Sequence, residues 1–593
     1  MSFQNLSSYQ RLPDYLKSYV VSQNYQNYTP RDHATWRYIM RNAREFFKEH
    51  AHEVYLNGLK KTGIPIDKIP EVETMDRVLS EFGWGALCVC GFIPPLAFLE
   101  FQSRKILPIA ADMRSLEHIA YTPAPDIVHE AAGHAPIIAD QDYSDYLTRY
   151  AHLAKNAIFS HQDVKLYEAI RLLSDVKENP DSKPEEIEKA EAELEKAVTS
   201  MGWVSEAARV ARMNWWTAEY GLVGDLDQPR IYGAGLLSSL GEGQSCLEND
   251  VKKIPLSLDC IHQSYDITRP QPQLFVARDF AHLVEVLEEL EDTMSYKIGG
   301  IHGLETARTS QAMTSTVVDT GVAVSGILDD FETDNDQVSF IRWSGPVQLS
   351  YESVEIKGHG SERHPGGFSS PVGAWKACPV LNPADLNQDQ LRQMNLVLGQ
   401  KTHIETEAGF LVEGVLSRLE FIGGKLSLLT WKDCTVKKGD QIYFDPAWGE
   451  FDMLVGVSVP SVFGGPADPE HFTEFDFGKA STSPGRQSPF TAKERSLFDL
   501  YQRIRDCRNS TLDENGVIDA VKSMSQELCQ DFPQEWLPGI ELVELLHLKT
   551  SVKEEDQLPW LSQLKETVLS LNGKDSMTVR FIQNGLARAG VPD

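Results

Sequence analysis

Apolar positions spaced three and four residues apart dominate the first half of the chain. In "DHATWRYIMRNAREFFKEHAHEVYLNGLKKTG" the residues Trp36, Ile39, Met40, Ala43 and Phe46 or Phe47 fall on one face. That pattern predicts one long helix, ended by Gly63 and Pro65. The same period predicts helices over 142–159, 203–220 and 280–294. A different texture, "KENPDSKPEEIEKAEAELEKAVTS", interrupts this region. Ser182 followed three positions later by Glu185 reads as a capping box, and Glu185 with Lys189 as a supporting pair. Ile187, Ala190, Leu194 and Val198 form only a narrow apolar stripe, so residues 160–200 are expected to be a solvated helical hairpin inserted between core helices.

From about residue 296 the period shortens to two. "GFLVEGVLSRLEFIGGKLSLLTW" predicts a hairpin turning at Gly423-Gly424, and "TVKKGDQIYFD" a second turn at Gly439-Asp440. The acidic tip Asp334, Asn335, Asp336 lacks the other positions of a calcium loop and is expected to be a polar hairpin turn. "GHGSERHPGGFSSPVG", with His359 and His364, reads as a plain loop. The helical period returns near residue 485, with charged faces that look solvated. The fold expected is therefore multidomain: a segment 1–30, a mainly α domain with small β elements at 31–295, a β-rich domain at 296–484 and a helical region at 485–593.

Composition narrows the function. Of 593 residues, 41% are hydrophobic and 24% charged, and 86 acidic against 56 basic side chains leave a net charge of −30. Such a balance repels nucleic acid and anionic membranes at long range, so neither is expected as a partner. No stretch approaches the ~18 apolar residues of a membrane span, and the first residues lack the layout of a signal peptide, which predicts a cytoplasmic location. Among eight cysteines only Cys88 and Cys90 lie close together, so reduced, mostly buried thiols are expected.

Chemistry concentrates in "YTPAPDIVHEAAGHAPIIAD". His129 and His134 stand five apart, one more than in the zinc motif H-E-x-x-H. On a regular α-helix that spacing turns the two imidazoles ~140° apart. Gly133 and Pro136 are expected to bend or end the helix between them and allow convergence. The third ligand decides the metal: a carboxylate completes the facial triad of non-haem iron oxygenases, whereas histidine or cysteine favours zinc. Glu219, in the apolar setting "MNWWTAEYGLVGD", is the candidate carboxylate. Glu130 is a candidate outer acid that orients water or a cofactor. The alternative is a zinc hydrolase with Glu130 as general base.

Three stretches in order, "YTPAPDIVHEAAGHAPIIAD", "NWWTAEYGLVGD" and "IYGAGLLSSLGEGQSCLE", make the chain resemble the pterin-dependent aromatic amino acid hydroxylases. The resemblance runs from about residue 35 to 290, and it implies that 31–295 is a catalytic domain of that type. It implies Fe(II) held by His129, His134 and Glu219, with O2 and tetrahydrobiopterin or a related tetrahydropterin as co-reactants. It places Arg114 on the substrate carboxylate, and Thr122, Pro125, Trp215, Ser238, Ser239 and Glu242 around the amino acid. Trp215 is expected to be a flat wall for the ring. "CGFIPPLAF" resembles the pterin loop, with Gly91, Ile93 and Phe98 against the cofactor and Glu130 near pterin and iron. Pro94-Pro95 and Asn214 depart from the residues common in the animal enzymes. The implied reaction is ring hydroxylation of an aromatic amino acid. Aliphatic Ile267 leans it toward phenylalanine or tryptophan; phenylalanine to tyrosine is the favoured reading, with tryptophan or tyrosine hydroxylation as the alternative within the family.

Overall fold

The predicted long helix is two helices. In the computed structural model, which describes residues 3–119, 125–178, 182–266, 270–473, 475, 477–480, 489–552, 558–570 and 576–589, Pro30–His50 and Glu53–Thr62 are separated at Ala51 and His52, both extended. The apolar spacing runs straight through the break. Ala51 forms a parallel bridge with Ile231 and the amide of His52 donates to the carbonyl of Ile231. Tertiary pairing therefore overrides the helix preference of alanine. At the start, Thr29 and Asp32 exchange capping bonds with Pro30 at the first position, and Gly63 ends the second helix with a φ of 63°.

Two small sheets frame the mainly α domain. Gly85–Val89 pairs in parallel with Ile106–Ala110, and the helix Pro95–Ser103 crosses between them. Leu222–Val223, Arg230–Ile231, Lys252–Pro255 and Gln273–Ala277 make the second. The expected inserted hairpin is present as His161–Glu178 and Pro184–Thr199. It is antiparallel, since Gln162 near its start donates to the Ser200 carbonyl near its end. The cap falls one position later than expected: the amide of Lys183 donates to Glu186 at 2.8 Å. Pro184 sets this register, because proline prefers the first helical position and leaves the residue before it as the cap.

The strands expected from 296 begin at Met313–Val317, after two further helices, Ser295–Ile298 and Gly300–Ser310. One antiparallel sheet runs in the order Val354–Glu355, Gln337–Tyr351, Val322–Asp334, Met313–Val317, Ser461–Gly464, with Gly367–Pro371 also on Gln337–Tyr351. The second runs Lys401–Glu405, Phe410–Ile422, Lys425–Lys438, Gln441–Phe444, with Phe451–Leu454 on Lys425–Lys438. Its hairpin turns at Gly423 and Gly424, with φ of 59° and 83°, and the acidic tip turns at Asn335 and Asp336, with φ of 48° and 59°. Two consecutive residues at positive φ make the turn whose twist matches the strands.

The C-terminal helices do not present only solvated charge. Leu537–Lys549 and Ser576–Arg588 pack on Pro30–His50 and share its core. Arg37 and Glu541 pair with side chains 2% and 3% exposed, the Tyr38 hydroxyl donates to the Phe581 carbonyl, and Arg588 donates to the Asn42 carbonyl. The charges that looked solvated in the sequence have their partners some 500 positions away, beyond any local pattern.

Candidate active site

His129 opens and His134 closes a π-helical turn, His129–His134. Hydrogen bonds from i to i+5 stack residues five apart, as an α-helix stacks residues four apart. The spacing that a regular helix would misdirect thus brings the two imidazoles together. The expected break after Gly133 is absent, because helix continues as Ala135–Ile138 with Pro136 in its first turn, where a missing N–H is tolerated. Gly133 answers a different need. A Cβ there would stand 2.6 Å from the carbonyl oxygen of Ala234, so glycine allows the helix Ala234–Ser238 to pass close by.

Glu219 closes a second π turn, Trp215–Glu219, continuous with the helix Glu206–Asn214. The Nε2 atoms of His129 and His134 are 3.2 Å apart; that of His129 lies 3.3 Å from Oε2 of Glu219 and that of His134 3.3 Å from Oε1. Ligands ~2.1 Å from one ion and at right angles stand ~3 Å apart, so the spacing of the two nitrogens from each other and from the carboxylate suits neighbouring positions of an octahedral site. Burial opposes ionisation of Glu219, but His134 and His129 outweigh it and hold the carboxyl well below the usual range. Asn214 donates to Glu219 at 3.4 Å.

Asp126 was not singled out in the sequence, yet it wires the site. Its carboxylate accepts from the amide, Nε and Nη2 of Arg114 and from the amide of His129, at 2.7–3.1 Å. Its place three residues before the turn that opens at His129 is the signal that could have found it. Arg114, expected to offer a fork of donors to a substrate, spends that fork on Asp126 and a further N–H on the Ser238 carbonyl at 2.9 Å. Three of its five N–H groups are engaged. Ser238 also bonds Nδ1 of His129 through its hydroxyl at 3.1 Å, leaving Nε2 to point at Glu219.

Glu130 is buried beside the triad, and Oε2 has no hydrogen-bond partner among the described residues. Burial pushes its carboxyl up to about 8, His134 pulls it down, and Glu219 and Asp126 push it further up. The Trp215 ring, expected to be an open wall, stacks on Tyr265 at 4.3 Å and on Tyr220 at 4.5 Å. Ser239 caps the helix Leu240–Ser245 by accepting from the amide of Glu242. Glu242 is buried, which raises its carboxyl to about 7 against the pull of Tyr220. Pro125 is partly buried where the described chain resumes, whereas Thr122 and Ile267 lie outside the described residues. In the loop after Gly85–Val89, Gly91 has a φ of 50°, Ile93 is buried among Leu16, Leu87 and Phe101, and Phe98 is half-buried against the same cluster. The segment after the second sheet reaches this loop: the Tyr19 hydroxyl donates to the Gly478 carbonyl, and Gly478 lies against Pro94.

Over residues 13–156 and 187–314 the chain matches the sequence model of the biopterin-dependent aromatic amino acid hydroxylases. It is a pterin-dependent aromatic amino acid monooxygenase, which sets the hydrolase alternative aside. The match omits 157–186, the stretch that holds the first helix of the inserted hairpin. Among similar proteins, the phenylalanine-4-hydroxylase of Mesorhizobium japonicum is 26% identical over 274 residues, covering 46% of this chain and 83% of that protein. The phenylalanine-4-hydroxylase of Rattus norvegicus is 28% identical over 274 residues, covering 45% and 50%. A crystal structure of Chromobacterium violaceum phenylalanine hydroxylase with bound iron(III) and 7,8-dihydrobiopterin aligns at 23% identity and a TM-score of 0.36, over 46% of this chain and 88% of that one.

Proposed function

We propose that this chain hydroxylates phenylalanine to tyrosine at a centre where His129, His134 and Glu219 hold Fe(II). The observation that carries the reading is the convergence, from two facing π turns, of two imidazole nitrogens 3.2 Å apart, each 3.3 Å from a different oxygen of the Glu219 carboxylate. Two imidazoles and a carboxylate on one octahedral face leave the opposite positions open, as an oxygenase requires. The buried, unpartnered oxygen of Glu130 next to them fits an outer acid that meets a bound group. The names of the curated relatives favour phenylalanine as substrate.

Fe(II) and a tetrahydropterin, when bound, supply the electrons that activate O2. The chain's own residues place and shield. Ser238 fixes the ring of His129, and Asp126 ties that histidine's backbone to Arg114. A substrate carboxylate meets the outer edge of the Arg114 guanidinium, since the inner edge is held by Asp126; a guanidinium aimed in advance loses little freedom on binding. Trp215, backed by Tyr220 and Tyr265, forms a rigid aromatic boundary to the ring site. The loop of Gly91, Ile93 and Phe98 and the Glu130 carboxyl form the pterin side.

The test is incubation of Fe(II)-loaded protein with tetrahydrobiopterin, O2 and each aromatic amino acid in turn, with product identification. Tyrosine from phenylalanine is expected, with the activity lost in His134→Ala. Pterin-coupled product from tryptophan or tyrosine alone overturns the substrate assignment, and full activity of His134→Ala overturns the ligand assignment.

A further inference from the structure

The loop that looked plain in the sequence carries a buried cluster of ligand-type side chains. His359 is fully buried and His364 and Asp452 nearly so, at 0%, 8% and 4% exposure. Nδ1 of His359 lies 3.4 Å from Nε2 of His364, and these nitrogens lie 4.0 and 3.9 Å from Oδ2 of Asp452. On its other side, Nε2 of His359 meets Oε1 of Glu420 at 3.0 Å.

The backbone builds this arrangement deliberately. The amides of Leu349 and Val347, on the strand Gln337–Tyr351, donate to the carbonyls of His359 and His364 and pin the loop along that strand. Asp452 comes from Phe451–Leu454 in the second sheet. The Thr430 hydroxyl donates to Oδ1 of Asp452, and Arg363 donates to both its oxygens. Glu420 sits on Phe410–Ile422 at a register shift, the kind of irregularity that re-aims a side chain.

Hydrogen accounting then decides what the centre lacks. A neutral His359 that gives its Nε2 hydrogen to Glu420 presents a bare lone pair at Nδ1. Asp452 Oδ2 is an acceptor as well. Oδ2 already accepts from Arg363 and a neutral His364 supplies at most one hydrogen to the space these atoms share, so lone pairs outnumber hydrogens there. A carboxylate on the outer nitrogen of a histidine whose inner nitrogen faces other donors is the outer arrangement around ligating histidines. In a tetrahedral site with ligands ~2.0–2.1 Å from the ion, donors stand ~3.4 Å apart, so one edge already fits and the others close by about 0.5 Å.

We propose that His359 Nδ1, His364 Nε2 and Asp452 Oδ2 bind a divalent metal ion of the zinc class that staples the loop 356–366 and the first sheet to the second sheet. Water completes the coordination. Arg363 and Thr430 hold Asp452 in place, and Glu420 sets the tautomer of His359. The site is separate from the His129, His134, Glu219 centre, and its test does not depend on the hydroxylase reading.

The experiment uses the full chain carrying His129→Ala and His134→Ala, which removes both histidines of the first centre. After zinc loading and exhaustive dialysis, metal analysis is expected to find about one ion per chain. Adding His364→Gln or Asp452→Asn to that background is expected to lower the content at least tenfold, and cobalt(II) in place of zinc is expected to give visible ligand-field bands that the same variants lose. Chelation is expected to lower the melting temperature of the background protein but not that of the His364→Gln variant. A background protein that retains no zinc or cobalt overturns the proposal, as does a folded His364→Gln variant with unchanged metal content. If one added variant fails to fold, the other and the cobalt spectrum of the background protein decide.

Discussion

Gly133→Ala is the substitution for which local and tertiary physics give opposite signs. Alanine in a helical interior is better than glycine by ~0.5–1 kcal/mol, so with free space the variant is stabilised. Here the added carbon would stand 2.6 Å from the carbonyl oxygen of Ala234 and 3.1 Å from its carbonyl carbon and Cβ. Carbon–oxygen contacts begin near ~3.3 Å, so the His129–His134 turn and the helix Ala234–Ser238 must separate by about 0.7 Å. The obstacle is backbone and does not swing aside. Overpacking of this kind costs ~1–3 kcal/mol, which outweighs the gain in helix preference and leaves a net loss of up to about 2.5 kcal/mol. The consequence for the centre is larger than that for the fold. Ser238, at the end of the displaced helix, holds both His129 and Arg114. A shift of this size exceeds the ~0.2 Å tolerance of metal–ligand distances, and an iron affinity ~10–100-fold weaker is expected, as for loss of a group supporting a ligand. Calorimetric melting of apo protein gives the first quantity and anaerobic Fe(II) titration the second. A variant that melts higher than the parent and binds iron equally well refutes the close-approach explanation of Gly133.

Two other substitutions test the burial of charge. Glu541→Ala leaves the Arg37 guanidinium, 2% exposed, without its carboxylate, and a loss of ~3–5 kcal/mol is expected in denaturant melts; a loss below about 1 kcal/mol shows that water reaches Arg37. Glu242, whose carboxyl burial raises to about 7, keeps its proton in the folded chain while the unfolded chain releases its own near the ordinary value of 4.5. Stability contributed by this site is therefore full below about pH 4.5, falls as pH rises toward 7 and is then constant, a change of ~3 kcal/mol. Glu242→Gln is expected to flatten that part of the curve of stability against pH, and an unchanged slope between pH 4.5 and 7 removes Glu242 as its source.

Much of the candidate centre was legible because its ingredients are local. His129, His134 and Glu219 have the residue types of a facial triad, and the apolar period around Glu219 predicts a helix. The turns at Gly423-Gly424 and Asn335-Asp336 were legible for a similar reason, since positive φ restricts which residues a turn accepts. The bend assigned to Gly133 and Pro136 shows the limit. The need for convergence was read correctly, but the π turn that meets it is a matter of hydrogen-bond register, and the glycine is there for a neighbouring helix.

Short stretches of chain carry the helical and strand textures, the glycine and Asn-Asp turns and the three candidate donor residues, because periodicity, φ preference and ligand chemistry are local properties. The tertiary structure alone decided which groups those residues meet. The break at Ala51, the grip of Asp126 on Arg114, the burial of Arg37 against Glu541 and the meeting of His359 with Glu420 and Asp452 all depend on strand register and helix packing. Those relations join residues from 12 to 504 positions apart, and no window of sequence carries them, since a side chain's partner across a packed interface is chosen by the shape of the whole fold.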